Sequence, residues 1–289
     1  MTSELRQTVV VDGLALAQEI RKGLAEAVGV HVAAGRRAPR LAVVLVGDDA
    51  ASASYIKGKR RACERVGIDS VEHDLPAHTG EGELLALVER LNGDDAVDGI
   101  LVQLPLPKAV RANAVAAAVD PDKDVDGLHP VNAGRLLLGE PGLYPCTPLG
   151  IMKILEHYRI PLEGADAVVI GRSAIVGKPV SLMLQHAHAT VTMCHSRTRD
   201  LRGACRRADV LVAAVGLPRL VKGDWIKPGA AVIDVGVSEL DSQLVGDVDS
   251  EAAQGIAALV TPHRRGVGPM TITMLLQNTL TAYEAHLGV

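Results

Sequence analysis

Apolar residues along this chain fall into two alternating rhythms. Short unbroken runs at Leu41–Val46, Gly99–Val102, Ala167–Ile170, Val210–Val215 and Val232–Val235 have the length and β-branched content of buried strands, and Val9–Val11 reads as a short edge strand before Asp12-Gly13. Val71–Leu75 and Thr190–Cys194 read as further strands. Between them the period changes. Leu16, Ile20, Leu24 and Val28 recur every four residues and predict an amphipathic helix over Leu14–Ala33. Helices are likewise expected over Ala51–Val66 (stopped by Gly67), Glu81–Leu91, Arg111–Val119 and Pro148–Tyr158, and from near Val176 through Leu182, Met183 and Leu184. Thr261–Pro269 reads as a loop, and Ile272, Leu276, Leu280, Tyr283 and Leu287 mark a last helix.

This β-α alternation implies parallel sheets flanked by helices. Pro145-Cys-Thr-Pro148 punctuates the chain and marks the expected domain boundary. The expectation is an α/β protein of two domains, each with a parallel sheet flanked by helices. One comprises residues 1–147 plus 270–289; the other, Rossmann-like, comprises 148–269. The last helix follows the final strand region of the second domain and is free to pack back on the first.

Composition narrows the picture. In 289 residues, 48% are apolar, yet there is no Phe and a single Trp, so aliphatic side chains must fill the core. A net charge of −4 offers no general attraction to nucleic acid or membrane. Cys63, Cys146, Cys194 and Cys205 are scattered without a Cys-x-x-Cys, which suits a reduced cytoplasmic setting better than a disulfide framework. The opening Met-Thr-Ser-Glu-Leu-Arg-Gln lacks the apolar centre of a secretion signal, and no apolar run approaches the ~20 residues of a membrane span.

The most informative stretch is Ala167–Pro179, a strand, a glycine turn and a helix, which is the arrangement that cradles phosphates at a helix N-terminus. As a dinucleotide fingerprint it is imperfect. Ser173 and Val176 stand where the second and third glycines belong, and Gly177 comes one place late. An ordinary βα turn would read the same way. The second strand tips the balance. It ends in His195-Ser-Arg-Thr198, about 20 residues on, where a dinucleotide fold reads the ribose. NAD would want a carboxylate there. Ser196 and Arg197 suit a 2′-phosphate instead, and Arg172 lies in the phosphate turn, so the cofactor expected is NADP.

Three constellations fall in the first domain. Tyr55 and Lys59 share one helix face, near the carboxyl edge of the sheet where open α/β sheets take ligands. The spacing alone fits equally a solvated lysine beside a half-buried tyrosine. Gln103 directly follows a buried strand, and Leu104-Pro-Leu-Pro107 argues for a rigid, cis-capable turn that fixes it. Asp122, Asp124, Asp126 and Gly127 match the opening of a calcium loop, but Ala133 stands where its closing Glu belongs, so no metal is expected. One Asp of this run could accept two parallel N–H bonds from a guanidine-like edge. His186 and His188 read as surface residues.

Together these residues resemble the bifunctional methylenetetrahydrofolate dehydrogenase/methenyltetrahydrofolate cyclohydrolase family. The likeness runs through Tyr55-x-x-x-Lys59, Gly99-Ile-Leu-Val-Gln-Leu-Pro-Leu-Pro107, Lys123-Asp-Val-Asp-Gly127, Pro145-Cys-Thr-Pro148, Gly171-Arg-Ser-x-x-Val-Gly177, Cys194-His-Ser-Arg-Thr198, Asp234-Val-Gly236, Gly246-Asp-Val-Asp249 and Gly266-Val-Gly-Pro-Met-Thr271. The resemblance implies a cleft between the two α/β domains with the last helix returned to the first, a folate substrate, a homodimer, and one-carbon interconversion serving purine, methionine and histidine synthesis. It makes Lys59 the catalytic lysine, tuned by Gln103, and Tyr55 the ring that stacks on the folate. Asp126 would hold the amino-pyrimidine edge, with Gly268 and Pro269 also at the substrate. Gly171, Arg172, Ser173, Ser196, Arg197 and Val237 would hold NADP. One departure stands out: where the family reads Val-Pro-Gly, this chain reads His263-Arg-Arg265, losing a glycine and a proline from a loop beside the cleft. Two other readings stay open, a dehydrogenase that has lost the hydrolytic step and a silent nucleotide-binding protein. The second need not keep Tyr55, Lys59, Gln103 and Asp126 together.

Overall fold

The structure is a computed structural model describing residues 7–47 and 50–289, with the side chains of residues 50–56 outside the described set. The chain runs through β1 (Val9–Val10), α1 (Gly13–Ala33), β2 (Arg40–Val46), α2 (Ala50–Val66), β3 (Asp69–Leu75), α3 (Glu81–Asn92), β4 (Gly99–Val102), α4 (Ala112–Ala116) and α5 (Pro130–Leu138). It continues as α6 (Cys146–His157), β5 (Asp166–Ile170), α7 (Gly177–His186), β6 (Thr190–Cys194), α8 (Leu201–Cys205), β7 (Val210–Ala213) and β8 (Ala231–Asp234). A hairpin of β9 (Ser238–Leu240) and β10 (Gln243–Val245), then α9 (Ser250–Ala253), β11 (Leu259–Val260) and α10 (Val267–Leu287), complete it. The helix expected over Arg111–Val119 shrinks to α4, and the loop expected to end at Pro269 gives way to α10 at Val267. Helix α5, opened by Pro130 and closed by Gly139 in the left-handed region (φ +74°), lacks a clear apolar period and was not foreseen.

Two compact units result, residues 18–146 with 272–289 and residues 1–17 with 147–271. The first holds a parallel sheet ordered β3-β2-β4. Leu84, Leu87, Val88 and Leu91 form one buried face of α3 and pack with Ala42, Val44 and Ile100 of the strands. Full burial of each Leu stabilises by about 1.5–3 kcal/mol, so this aliphatic face stands in for the missing aromatic core.

The second unit holds a six-stranded parallel sheet ordered β1-β11-β8-β7-β5-β6. Its edge strand β1 corrects the expected division, in which residues 1–147 all belonged to the first domain. Val9 N donates to Ala258 O and Val11 N to Val260 O, both at 2.9 Å. Thr8 Oγ1 donates to Ala257 O at 2.7 Å. At Gly13 a Cβ would lie 2.0 Å from Gly266 O, so the backbones touch there. A two-residue strand carries no local information about which sheet it joins; pairing across some 250 residues of sequence decides it.

Asp98 fastens the last helix in the first unit. Buried at 1% exposure, its carboxylate accepts from Arg37 Nη1 (2.6 Å) and Nη2 (2.7 Å), Arg40 N (2.8 Å) and His286 Nδ1 (3.1 Å). Arg37 in turn lies over the ring of Tyr283, whose hydroxyl donates to Arg37 O at 2.7 Å. Removing one partner of a buried pair costs up to about 5 kcal/mol. Here Arg37 keeps 38% of its side chain in solvent and can rehydrate, so Asp98→Asn should cost about 2–3 kcal/mol. Urea unfolding measures this. A midpoint equal to that of the parent would show that the four bonds contribute nothing net.

Candidate active site

Lys59 lies on the inward face of α2. Lys57, Arg60 and Arg61 are exposed, whereas Lys59 is buried at 6% and shares its face with buried Ala62, Cys63 and Val66. Burial pushes its ammonium below the ordinary lysine range, with the charge of Asp126 and the Cys146 and Cys63 thiols opposing the fall. Its Nζ donates to Gln103 Oε1 at 2.7 Å.

Gln103 is set by the end of β4. Its backbone N–H extends the ladder to Val44 O (2.9 Å), and its side-chain Nε2 donates to Leu104 O (2.7 Å). That second bond fixes which end of the amide faces the lysine. The Leu104–Pro105 peptide that follows is cis. The helix backbone carries Tyr55 one turn before Lys59, but the Tyr55 side chain lies outside the described residues.

The acidic run divides its labour. Asp120 accepts from Asp122 N, and Asp122 pairs with Arg135. Asp124 is buried and accepts from His129 N (2.7 Å) and Asn132 Nδ2 (3.0 Å); burial pushes its carboxyl up to about 6. Asp126, half-buried, remains. Burial raises its carboxyl, while the Lys59 charge and a bond from the Cys146 thiol lower it. The backbone beneath is clamped. Ile100 N donates to Lys123 O (2.7 Å), and Asn278 Nδ2 of α10 donates to Val125 O (2.8 Å) and Tyr144 O (2.9 Å). A Cβ on Gly127, whose φ is +70°, would meet Tyr144 C at 2.3 Å. Asn278 gave no signal in the sequence, being one of several polar residues on that helix. Lys59, Gln103 and Asp126 thus lie within one unit, linked by a direct bond and by charge. No group of three or more His, Cys, Asp or Glu that could hold a metal occurs among the described residues.

The nucleotide side belongs to the other unit. Gly171, with φ +123°, ends β5, and a Cβ there would meet Ala214 O at 2.3 Å. A Cβ on Gly177 would meet Gly171 O at 2.3 Å, so the late glycine performs the close helix–turn packing that the fingerprint assigns to its third glycine. Ser173 Oγ accepts from Val176 N (3.2 Å) and Gly177 N (3.3 Å) and so closes the turn that leads into α7, a use for the serine that stands where the fingerprint has a glycine. Arg172 is exposed in the turn. At the end of β6, His195 Nδ1 accepts from Arg197 N (3.1 Å) and His195 N donates to Thr198 Oγ1 (2.9 Å), leaving Ser196 and Arg197 exposed. A hydroxyl and a guanidinium with no carboxylate at this place suit a phosphorylated ribose. Val237, beyond β8, is 55% exposed. Gly268 and Pro269 begin α10 in the nucleotide-side unit, whereas Lys59 and Asp126 lie in the other.

In the altered loop, Arg265 adopts φ +63°, the left-handed region. Its guanidinium pairs with Asp12 at 3.0 Å, and its carbonyl accepts from Leu14 N at 3.1 Å. Asp12 is thereby held below the usual carboxylate range, mainly by the Ala15 amide it caps and then by Arg265.

Residues 11–126 match the tetrahydrofolate dehydrogenase/cyclohydrolase catalytic domain, and residues 145–287 match the NAD(P)-binding domain of the same family. Bifunctional protein FolD 3 of Rhizorhabdus wittichii is 55% identical over 286 residues, covering 97% of this chain and 94% of that protein. The crystal structure of the bifunctional FolD dehydrogenase/cyclohydrolase of Campylobacter jejuni superposes with TM-score 0.94 at 46% identity, covering 96% of this chain and 99% of that one. The FolD of Trypanosoma brucei, solved with NADP and an inhibitor, gives TM-score 0.93 at 38% identity, covering 98% and 99%.

The loop yields a test. A non-glycine residue in the left-handed region costs about 1 kcal/mol, and the ion pair that accompanies Arg265 is solvent-exposed and screened. Arg265→Gly should therefore raise the melting temperature by about 2 °C. A fall instead would show that the Asp12 pair outweighs the backbone strain.

Proposed function

We propose how this site works given that the chain belongs to the tetrahydrofolate dehydrogenase/cyclohydrolase family. It is a bifunctional enzyme. It oxidises 5,10-methylenetetrahydrofolate to the 5,10-methenyl cation and hydrolyses that cation to 10-formyltetrahydrofolate, and its cofactor is NADP. When bound, NADP would supply the acceptor for the hydride of the bridging carbon. The substrate's own nitrogens push the electrons, so the dehydrogenase step asks the protein for position alone. Gly171, Arg172, Ser173, Ser196, Arg197 and Val237 hold the cofactor; Asp126, Tyr55, Gly268 and Pro269 hold the folate. A carboxylate kept partly buried, as Asp126 is, stands ready to accept a pair of N–H donors from the pterin edge.

Hydrolysis needs a proton carrier, and one observation carries the assignment: a buried lysine of lowered pKa donating to Gln103 Oε1 at 2.7 Å. As the neutral amine, Lys59 is a base for water, and one N–H holds it to Gln103. It takes a proton as water adds to the bridging carbon, giving a neutral carbinolamine. It returns that proton to the departing N5 as the carbinol hydroxyl releases its own to solvent, and the formyl group stays on N10. One proton is released overall. Gln103 accepts from Lys59 in both protonation states and so orients it throughout. The same reading includes a homodimer in the cytoplasm, with no nucleic-acid or membrane partner, feeding purine, methionine and histidine synthesis; its support is the family. No helix among the described residues is long and apolar enough to cross a membrane.

Lys59→Gln keeps length and polarity but cannot carry the proton. Cyclohydrolase activity should fall by about 10²–10⁴-fold, while the dehydrogenase survives at a much larger fraction and methenyl-folate accumulates. Equal loss of both rates on the purified variant would make Lys59 a binding or folding residue.

For the cofactor, kcat/KM should favour NADP over NAD. Arg197→Asp should cost NADP about 10–100-fold and spare NAD. A parent enzyme that treats the two alike would remove Ser196 and Arg197 from the 2′-phosphate.

A further inference from the structure

The motif Gly246-Asp-Val-Asp249 has no part in the chemistry above, yet its first carboxylate is fully buried (Asp247, 0% exposed). Three consecutive backbone amides of the segment that follows β7 converge on it. Val215 N donates to Asp247 Oδ2 at 2.6 Å, Gly216 N to Oδ2 at 3.1 Å and Leu217 N to Oδ1 at 2.8 Å. Asp247 is itself held, since its backbone N donates to Asp234 Oδ1 (2.8 Å), and Val248 N donates to Asp234 Oδ2 (3.2 Å). Asp234 ends β8, and its own N–H donates to Thr261 Oγ1 at 2.7 Å, just beyond β11. Two glycines leave room for the carboxylates: a Cβ on Gly236 would lie 2.1 Å from Asp247 Oδ1, and one on Gly246 would lie 1.7 Å from Asp234 Oδ2. Burial pushes the Asp234 carboxyl up to about 7, with its two amide donors opposing the rise and the Asp247 charge aiding it.

The place of this relay in the sheet gives it meaning. β5 has β6 on one side and β7 on the other, so the strand order reverses at β5. Open α/β sheets take their ligands outside the carboxyl ends of the strands at such a reversal. Gly171 ends β5, residues 214–217 follow β7, and the two segments touch, since a Cβ on Gly171 would strike Ala214 O at 2.3 Å. Gly216 and Leu217 are exposed, with Gly216 in the left-handed region at φ +66°.

We propose that Asp247 is a positioning residue for the cofactor: its carboxylate fixes residues 215–217 as one wall of the dinucleotide crevice, and Asp234 fixes Asp247. The proposal rests on the reading of the Gly171 turn as the NADP site. A fold staple alone would affect stability and both activities alike; a positioning residue affects the cofactor.

The test is Asp247→Asn, which keeps the shape but leaves one acceptor oxygen for three amides and sets an NH₂ group against an N–H. NADP KM and the calorimetric Kd for NADP should rise by about tenfold or more, with methenyl-folate hydrolysis measured without NADP unchanged within about twofold. Asp234→Asn, which leaves the Asp247 carboxylate in place, should raise NADP KM in the same direction by a smaller factor, and serves should the first variant not fold. Unaltered NADP binding in the variants overturns the proposal, as does a parallel loss of cyclohydrolase activity in both. A parent enzyme that does not bind NADP at all would instead overturn the reading of the Gly171 turn.

Discussion

Taking the Lys59 ammonium out of water costs free energy that only close polar partners and nearby charge can offset, and its neighbourhood is arranged accordingly. The offset is partial: the Gln103 carbonyl lies 2.7 Å away and Asp126 contributes opposite charge, yet the amine's pKa remains lowered. A fully compensating partner, such as a carboxylate in direct contact, would hold the proton too firmly for a base. Gln103 is neutral, and so accepts a hydrogen bond without adding charge. Its own amide is locked by Leu104 O, the backbone carbonyl next in the chain.

Asp126 depends on the same principle one layer out. Its neighbour Asp124 is consumed by His129 N and Asn132, and Asn278 reaches from α10 to bond Val125 O between them. The chain thus fixes the backbone around one carboxylate with polar groups that never meet a ligand. A run of four acids that looks like a metal loop is a scaffold in which Asp124 is spent on backbone and amide donors while Asp126 stands near the Lys59 charge.

In the nucleotide-side unit the deciding constraint is backbone clearance. The two close approaches, Gly171 to Ala214 and Gly177 to Gly171, leave no room for a Cβ at either glycine. Glycine is therefore needed at these two positions, while the middle of the motif can carry Ser173, whose hydroxyl accepts from the amides of Val176 and Gly177 and closes the turn. The loop at Arg265 shows the converse. A left-handed backbone at a non-glycine residue survives there because Leu14 N and Asp12 hold it from the N-terminal segment.

By itself the sequence determined most elements, since unbroken aliphatic runs and four-residue recurrences are local signals that burial enforces. It offered the candidate site residues through the family resemblance, with Gln103 and Arg197 just beyond strand ends and Lys59 in the middle of a helix, where spacing alone says nothing of its burial. Only the tertiary structure decided which sheet Val9–Val10 joins, that Asp124 is the acid buried on His129 N and Asn132, and that Asp247 holds three amides of a segment thirty residues earlier. The physical reason is common to all three. Several groups of one kind compete for a partner, their local patterns are equivalent, and long-range packing selects among them.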